Sequence, residues 1–337
     1  MRAYIIRRLL LIIPTLWILT TLVFLLVRFL PGNVVDMMAL NAEISGFGGM
    51  DTIDREAMER LLGLDVPAHV QYGRWMGVLP TPDWITGESH FRGLLQGTLG
   101  ESLVTSHVTV EQEIFGRLPV TIQLGIMAVV IGLVMALPVG IYSAIRQDTA
   151  ADYLGRTAAV IGLATPNFWL ALMVMIFPVI WWGWAPPLEY IPFIEDPLGS
   201  LAGLFVPSLI LGTASAAATM RLTRTMMLEV LRQDYIRTAW SKGLKERVVI
   251  MRHAIKNALI PVVTLIGLQL PILIGGSVIM ETIFNLPGIG RLMVFALTER
   301  DYPVVSGVNL FFATGVLAVN LVIDVVYFYL DPRVRYS

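Results

Sequence analysis

Six long apolar stretches dominate this 337-residue chain: Leu9–Leu30, Leu118–Ile145, Ala158–Trp182, Leu201–Met220, Ala258–Met280 and Val304–Leu330. An α-helix rises about 1.5 Å per residue, so about 20 apolar residues cross the roughly 30 Å hydrocarbon layer of a bilayer. In hydrocarbon every backbone N–H and C=O must find an internal partner, which a helix provides. The expected fold class is an all-α polytopic membrane protein with six transmembrane helices. Composition agrees: 15% of residues are charged, against about 25% in soluble domains. Low charge with 56% hydrophobic residues also excludes disorder. The absence of cysteine removes disulfides, thiolate metal sites and cysteine nucleophiles. The first stretch follows Arg2, Arg7 and Arg8 but is too long for a signal-peptide core, and no small-residue cleavage site precedes Pro31. It reads as an uncleaved anchor.

Charge segregates between alternate sides of these stretches. The N-terminus, residues 143–157, residues 221–258 and the tail hold 16 of the 24 basic residues and 6 of the 25 acids. Residues 28–117, 183–203 and 284–305 hold the other 8 bases, with 18 acids on or beside that side. Lysine and arginine in short loops stay cytoplasmic, so both termini are expected in the cytoplasm. The nine bases of 221–258 and the base-free 183–203 loop decide it. Trp181, Trp182 and Trp184 suit the headgroup layer at the end of the third stretch.

Absent motifs narrow the chemistry further. No lysine is followed by Ser or Thr, so there is no Walker A phosphate cradle, and none of the four histidines forms H-E-x-x-H. No catalytic, cofactor or metal site is expected on this chain. Asp324 alone lies deep within a span, while Glu281 sits at an end; one buried acid suits a helix–helix pair or a proton relay, and ion-coupled transporters usually carry several. Pro138, Pro166, Pro178, Pro207, Pro261 and Pro271 interrupt four of the runs. Freed backbone groups are tolerated in a bilayer where protein or a water-filled cavity satisfies them, so the prolines give either kinks or an internal path.

The basic loop carries the most informative pattern. Asp234 is a good N-cap, Ile236, Ala239 and Trp240 follow at i, i+3, i+4 spacing, and Gly243 is a natural residue after a helix end. This predicts a short amphipathic helix over Tyr235–Lys242, then a second helix starting near Lys245. Such a helix either lies on anionic lipid or seats in a groove of a soluble partner.

On these residues the chain resembles a known family. Tyr235-Ile236-Arg237-Thr238-Ala239-x-x-Lys242-Gly243-Leu244, with Arg252-His253-Ala254 and Asn257-Ala258-Leu259-Ile260-Pro261, is similar to the coupling loop of inner-membrane permeases of binding-protein-dependent ABC importers. The Arg237-Thr238-Ala239 triplet and the long interval from Gly243 to Pro261 resemble the dipeptide/oligopeptide/nickel branch, and the first permease subunit of its pair. Leu62-Gly63-Leu64-Asp65, Gln71-Tyr72, Trp75, Leu99-Gly100-x-Ser102 and Arg117-Leu118-Pro119-x-Thr121 resemble that branch's outer segment. Later matches are Glu281-Thr282-Ile283-Phe284, Pro287-Gly288-x-Gly290, Arg300-Asp301-Tyr302-Pro303, Asn320-Leu321-x-x-Asp324 and Asp331-Pro332-Arg333. Val78–Gly93 departs from the branch as extra sequence.

The resemblance implies a type I ABC importer permease fold. Residues 1–30 would form the anchor and first span, 31–117 an extracytoplasmic segment, and 118–337 a core permease domain of five spans with its coupling loop at 221–258. It implies a permease that translocates short peptides across a bacterial or archaeal cytoplasmic (inner) membrane. The implied partners are a homologous second permease, two ATP-binding cassette subunits that hold ATP and Mg, an extracytoplasmic solute-binding protein and membrane lipid, with no nucleic acid. Tyr235, Arg237, Thr238, Ala239, Lys242, Gly243 and Leu244 are the candidates for ATPase coupling. Thr165, Asn167, Thr213, Ser215, Gln269 and Ser277 are polar groups within spans that either line the substrate path or bond between helices. The alternatives are the same transporter class acting on nickel, glutathione-like compounds or oligosaccharides, and an ion-coupled secondary transporter. Topology is testable at once: cysteines introduced at Ser89 and Lys245 should react with an impermeant maleimide from opposite membrane faces, and labelling from one face would overturn the six-span reading.

Overall fold

The computed structural model describes residues 2–28, 34–44, 55–82, 89–105, 107–187 and 189–330. The Asp331-Pro332-Arg333 motif and the side chain of Asp324 lie outside what is described. In chain order the elements begin with helices α1 (Arg2–Arg28), α2 (Val34–Ile44), α3 (Arg55–Leu61) and α4 (Ala68–Met76), then strands β1 (Thr81–Pro82) and β2 (Ser89–His90). Next come α5 (Val110–Ile145), α6 (Ala150–Ala164), α7 (Asn167–Trp182), α8 (Pro197–Leu231) and α9 (Asp234–Ser241). After these, α10 (Glu246–Val248) leads through a π-helical turn, Val249–Ala254, into α11 (Ile255–Ile283). The chain ends in α12 (Ile289–Glu299) and α13 (Tyr302–Leu330).

Among the described residues four helices are long and apolar enough to cross a membrane, and there are five such segments if the bent pair α6–α7 is taken as one span. The described apolar part of α1, Leu10–Leu25, is shorter. The all-α polytopic class holds, and these segments are consistent with six spans. The third stretch, however, is not the single continuous helix expected. It breaks at Thr165-Pro166 and bends by 94°. Proline disfavours helical geometry in the residue before it; Thr165 is extended (φ −89°, ψ 120°), and Pro166 caps α7. The remaining prolines of the set stay inside helices, Pro178 in α7, Pro207 in α8, and Pro261 and Pro271 in α11, with Pro138 in α5.

The chain divides into two compact units, Met1–Pro119 with Arg291–Gly315, and Val120–Gly290 with Val316–Ser337. In the first unit, α4 holds to α1 through Tyr72 Oη and Thr21 Oγ1, 2.7 Å apart, and through Phe24, whose ring meets those of Tyr72 and Trp75. The Leu99-Gly100-x-Ser102 and Arg300-Asp301-Tyr302-Pro303 motifs meet here: Ser102 Oγ donates to Asp301 Oδ2, and Leu103 N–H donates to Asp301 Oδ1 at 3.2 Å. Part of the extra Val78–Gly93 sequence is a short antiparallel pairing of Thr81 with His90 and Pro82 with Ser89.

The second unit is built on close helix contact. A Cβ on Gly212 of α8 would reach Ala128 O of α5 at 2.8 Å; one on Gly132 would reach Gly212 O at 3.0 Å, and one on Gly140 would reach Met220 O at 2.8 Å. Without side chains at these points the backbones of α5 and α8 approach directly, as helices do where lipid offers no hydrophobic contrast. Above this seam, Val120, Leu124, Leu204, Leu211, Met280 and Phe284 form an apolar core.

Glu281 lies at the end of α11 as expected, two residues before its last, and is fully buried. Its Oε1 accepts from Thr121 Oγ1 at 2.8 Å, and Thr121 Oγ1 accepts from Ile289 N–H at 2.9 Å. A Cβ on Gly288 would collide with the carboxylate, and one on Gly290 would come within 2.8 Å of Glu281 Oε2. The Pro287-Gly288-x-Gly290 motif is thus the bare turn that wraps a buried acid. Substitution separates tight seams from open ones: Gly212→Val should lower the thermal midpoint of the purified chain by an amount corresponding to about 1–3 kcal/mol of overpacking. Gly125→Ala, which meets nothing within 4 Å, should leave it unchanged or raise it by up to about 1 kcal/mol.

Candidate functional site: a short helix seated on the core

α8 is 35 residues long, about 50 Å at the rise of an α-helix, so it continues well beyond a hydrocarbon layer. Its end turns through Arg232 and Gln233 into α9, which runs Asp234–Ser241. The short helix is therefore present one residue earlier than the spacing predicts. Gln233, not Asp234, is the N-cap and makes no side-chain capping bond; Asp234 lies in the first turn, 3.4 Å from Arg237 across an exposed ion pair. At the other end Gly243 has φ +75°, a left-handed conformation that glycine adopts without the Cβ clash other residues incur. α10 begins at Glu246 with Lys245 as N-cap.

One face of α9 is held by its own chain. Ile236 and Ala239 are buried in a cluster with Ala144, Met227, Val249, Ile250, Ala254 and Ala258. Tyr235 adds a polar tie, its Oη accepting from Asn257 Nδ2 at 2.9 Å. This gives the Asn257-Ala258 part of the motif a physical role: Ala258 makes room for the helix and Asn257 fixes its angle. Ala239, expected on the docking face, instead faces inward as part of the seat. Trp240, expected with the apolar face, is 45% exposed. Arg237, Thr238, Lys242 and Gly243 are exposed, as are Tyr235 and, marginally, Leu244. An 8-residue helix with two inward positions leaves these side chains as its free surface.

A buried ion pair anchors the α5–α6 turn to α8, with Arg224 three residues before Met227 of the seat. Asp152 is fully buried and takes two bonds from Arg224, Nε to Oδ1 and Nη2 to Oδ2, both 2.7 Å, plus Asp148 N–H at 3.1 Å. Paired and doubly bonded, the charge is compensated in a way that a single contact would not achieve. In the sequence both residues read as loop charges, and their opposite signs at two span ends are the available signal. Arg146 at the start of the same turn lies 3.8 Å from Glu246 at the start of α10.

The six polar span residues are not gathered into one place. Thr165 and Thr213 line an apolar groove of about 540 Å³ on α5–α8, whereas Ser215 and Gln269 line a separate void of about 10 Å³. Thr165, Thr213 and Ser215 donate to carbonyls of their own helices. Ser277 is buried, and Asn167 Oδ1 is buried without a partner. Among the described residues no group of three or more His, Cys, Asp or Glu forms a metal site.

A multi-span bundle of this kind, carrying a short helix on a long basic loop, has the architecture of a membrane permease subunit. The chain belongs to the family described as binding-protein-dependent transport system inner membrane component, which matches residues 136–336. It is 40% identical over 338 residues to a putative peptide transport system permease protein of Brucella abortus, covering 100% of both chains. It is 37% identical, again over 100% of both, to the oligopeptide transport system permease protein AppB of Bacillus subtilis. Among solved structures it shares its fold with an amino acid ABC transporter crystallised with histidines, with a TM-score of 0.50, 14% identity, and coverage of 65% of this chain and 93% of that one. The fold is that of an ABC importer permease, a multi-pass component of the membrane, and the family consists of permease subunits that carry no ATPase site of their own.

The seat predicts how the loop fails. Ala239→Glu places an unpaired carboxylate in an apolar cluster and Ile236→Ala empties it, at a cost of about 2–5 kcal/mol each. Both should speed tryptic cleavage after Lys242 in inside-out vesicles at least tenfold, while Thr238→Ala, on the exposed face, should cleave like the wild type.

Proposed function

We propose that this chain is the first of two permease subunits of an ABC importer of short peptides, and that α9 is its coupling element. The observation that carries the coupling role is the two-sided character of α9. It is locked to the permease by Ile236, Ala239 and Tyr235, and it presents Arg237, Thr238, Lys242, Gly243 and Leu244 outward. A rigid element of that kind transmits a push from a soluble partner to α8 and α11, since its inward face packs with Met227 of the one and Ala258 of the other. The basic loop favours acidic partner residues. The peptide substrate is supported by full-length relatives named for peptide and oligopeptide transport. Nickel, glutathione-like compounds, oligosaccharides and an ion-coupled mechanism are less well supported.

In this reading ATP and Mg reside on two ATP-binding cassette subunits and none on this chain. A second, homologous permease completes the path, and a solute-binding protein delivers substrate from outside. Both termini and the 221–258 loop lie in the cytoplasm, residues 1–30 anchor the chain, 31–117 lie outside, and 118–337 form the transport core. Thr165 and Thr213 are the path candidates best placed, because they line the larger groove.

The test reconstitutes the chain with its second permease, ATPases and binding protein in vesicles, and measures ATP-dependent uptake of a labelled dipeptide. Wild type should accumulate it. Arg237→Glu reverses the charge of the exposed face, and Gly243→Val forces a β-branched residue to φ +75°. Each should reduce uptake at least tenfold at matched membrane abundance, with ATPase recovery on the permease reduced. Wild-type uptake in both variants would remove α9 as the coupling element, and uptake of another solute in place of dipeptides would overturn the substrate.

A further inference from the structure

The larger groove of the second unit, between α5, α6 and α8, has two ends of different character. Its volume is about 540 Å³, and apart from Thr165 and Thr213 its lining is apolar. Those two hydroxyls donate to carbonyls of their own helices. The opposite end is set by how α6 and α8 run side by side. Asp152 pairs with Arg224, a Cβ on Gly155 would come within 3.1 Å of Met220 Cε, and one on Gly162 within 3.3 Å of Ala217 Cβ. Gly155 and Met220, with Val139 of α5 at 3.0 Å from the same Gly155 position, therefore form the end nearest the buried ion pair.

Two arginines flank that end. Arg156 follows Gly155 and Arg221 follows Met220, and both are exposed. The Arg156 guanidinium lies 5.5 Å from the ring centroid of Tyr153, one turn back along α6. That is cation–π distance, and it holds the charge toward the start of the helix, as a long basic side chain at a span end does when its stem lies in apolar surroundings. Arg224 is taken up by Asp152, and Arg146 by Glu246. Among the described residues neither Arg156 nor Arg221 has a carboxylate partner within ion-pair distance. The charges left on α6, on the turn before it and on α8 from 213 to 224 are these two arginines and the exposed Asp148. An apolar slot thus ends in a net positive mouth.

We infer that this end of the groove is a binding site for one anionic phospholipid, its phosphate held by Arg156 and Arg221 and an acyl chain lying along Ala158, Ala159, Ala216 and Ala217. Charge complementarity identifies the headgroup, because basic pockets between membrane helices bind anionic headgroups. The small side chains leave the space for the tail. A protein occupant would have to bring an acid to the level of the two arginines, whereas an anionic lipid carries its charge at that level by construction. The site takes up the half between Gly155 and Gly162, about 10 Å of helix, after which the tail leaves for the bilayer. Thr165 and Thr213 stay at the other end, and their place as path candidates is untouched. Lipid binding here is independent of α9 and of the ATPase, so binding and transport can fail separately.

The experiment titrates the full chain, purified in detergent, with dioleoylphosphatidylglycerol and with zwitterionic dioleoylphosphatidylcholine, and counts bound lipid by native mass spectrometry. One phosphatidylglycerol should be retained at least tenfold more tightly than phosphatidylcholine, because only its phosphate is free to make charge-assisted bonds. The double variant Arg156→Gln/Arg221→Gln should abolish that preference. Ala158→Trp fills the groove from an exposed lining position, keeps both arginines, and should weaken phosphatidylglycerol at least fivefold. Glycerol phosphate, a headgroup without tails, should not displace the lipid at equal concentration. Equal retention of the two lipids, a preference that survives in the folded double variant, unchanged retention in Ala158→Trp, or displacement by glycerol phosphate would each overturn the assignment. Should the double variant fail to fold, by gel filtration and thermal unfolding, Ala158→Trp and the headgroup comparison decide. Assembly with the second permease should leave the lipid in place; its loss on assembly would make that subunit the occupant and overturn the site as well. Loss of dipeptide uptake with this binding intact would count against the transport reading only.

Discussion

Lipid tails are as apolar as leucine, so helices inside a bilayer gain little from exchanging tails for one another unless their backbones come close. In this chain that closeness is supplied at Gly132, Gly140 and Gly212, where α5 and α8 approach without intervening side chains. The small-residue run around Gly212–Thr219 is thus a packing surface. Between Gly132 and Gly140 it holds α5 and α8 backbone to backbone. The short helix α9 is attached at the end of α8.

Polar groups then fix what apolar contact leaves free. Two buried carboxylates do this at different places in the second unit. Asp152 is clamped by both nitrogens of one edge of Arg224, and Glu281 is enclosed by a turn whose glycines leave space for it. Buried ionic groups contribute little net stability, but removing one partner is costly because the other is left uncompensated. Their effect is geometric. One sets where the α5–α6 turn lies against α8, and the other ties the α11–α12 turn to the start of α5 through Thr121.

Much of this was legible in the residues, and the exceptions share a cause. Span positions follow from hydropathy because the bilayer imposes a length and forbids unpaired backbone. The short helix, its glycine stop and the restart near Lys245 follow from capping chemistry. What periodicity leaves open is which neighbour a face will meet. Ile236, Ala239 and Trp240 share one stripe, yet two of them turn to the permease and Trp240 stays half exposed, because the seat is narrow and accepts only Ile236 and the small Ala239. Glu281 looks peripheral in sequence since its enclosure comes from a turn several residues later. The bend at Thr165-Pro166 was signalled by proline, but not its size. The unpaired Oδ1 of Asn167 could not be read at all, for an unmet hydrogen bond is a property of three-dimensional neighbours.

The π-helical turn at Val249–Ala254 bears on phase. The residues that receive α9 are Val249, Ile250, Ala254 and Ala258, and the step from Val249 to Ala254 is five residues, where an α-helix returns to the same face after three or four. Each residue of an α-helix advances the azimuth by about 100°, so an unbroken α-helix would swing Val249 well away from the side that carries Ala254 and Ala258. The wider turn absorbs the surplus residue and brings both halves onto one meridian. The chain thereby holds a one-residue dislocation next to α9. Deleting a single residue between 249 and 254 would heal the dislocation into ordinary helix, with Val249 four residues before Ala254 and so on the same face as Ala258.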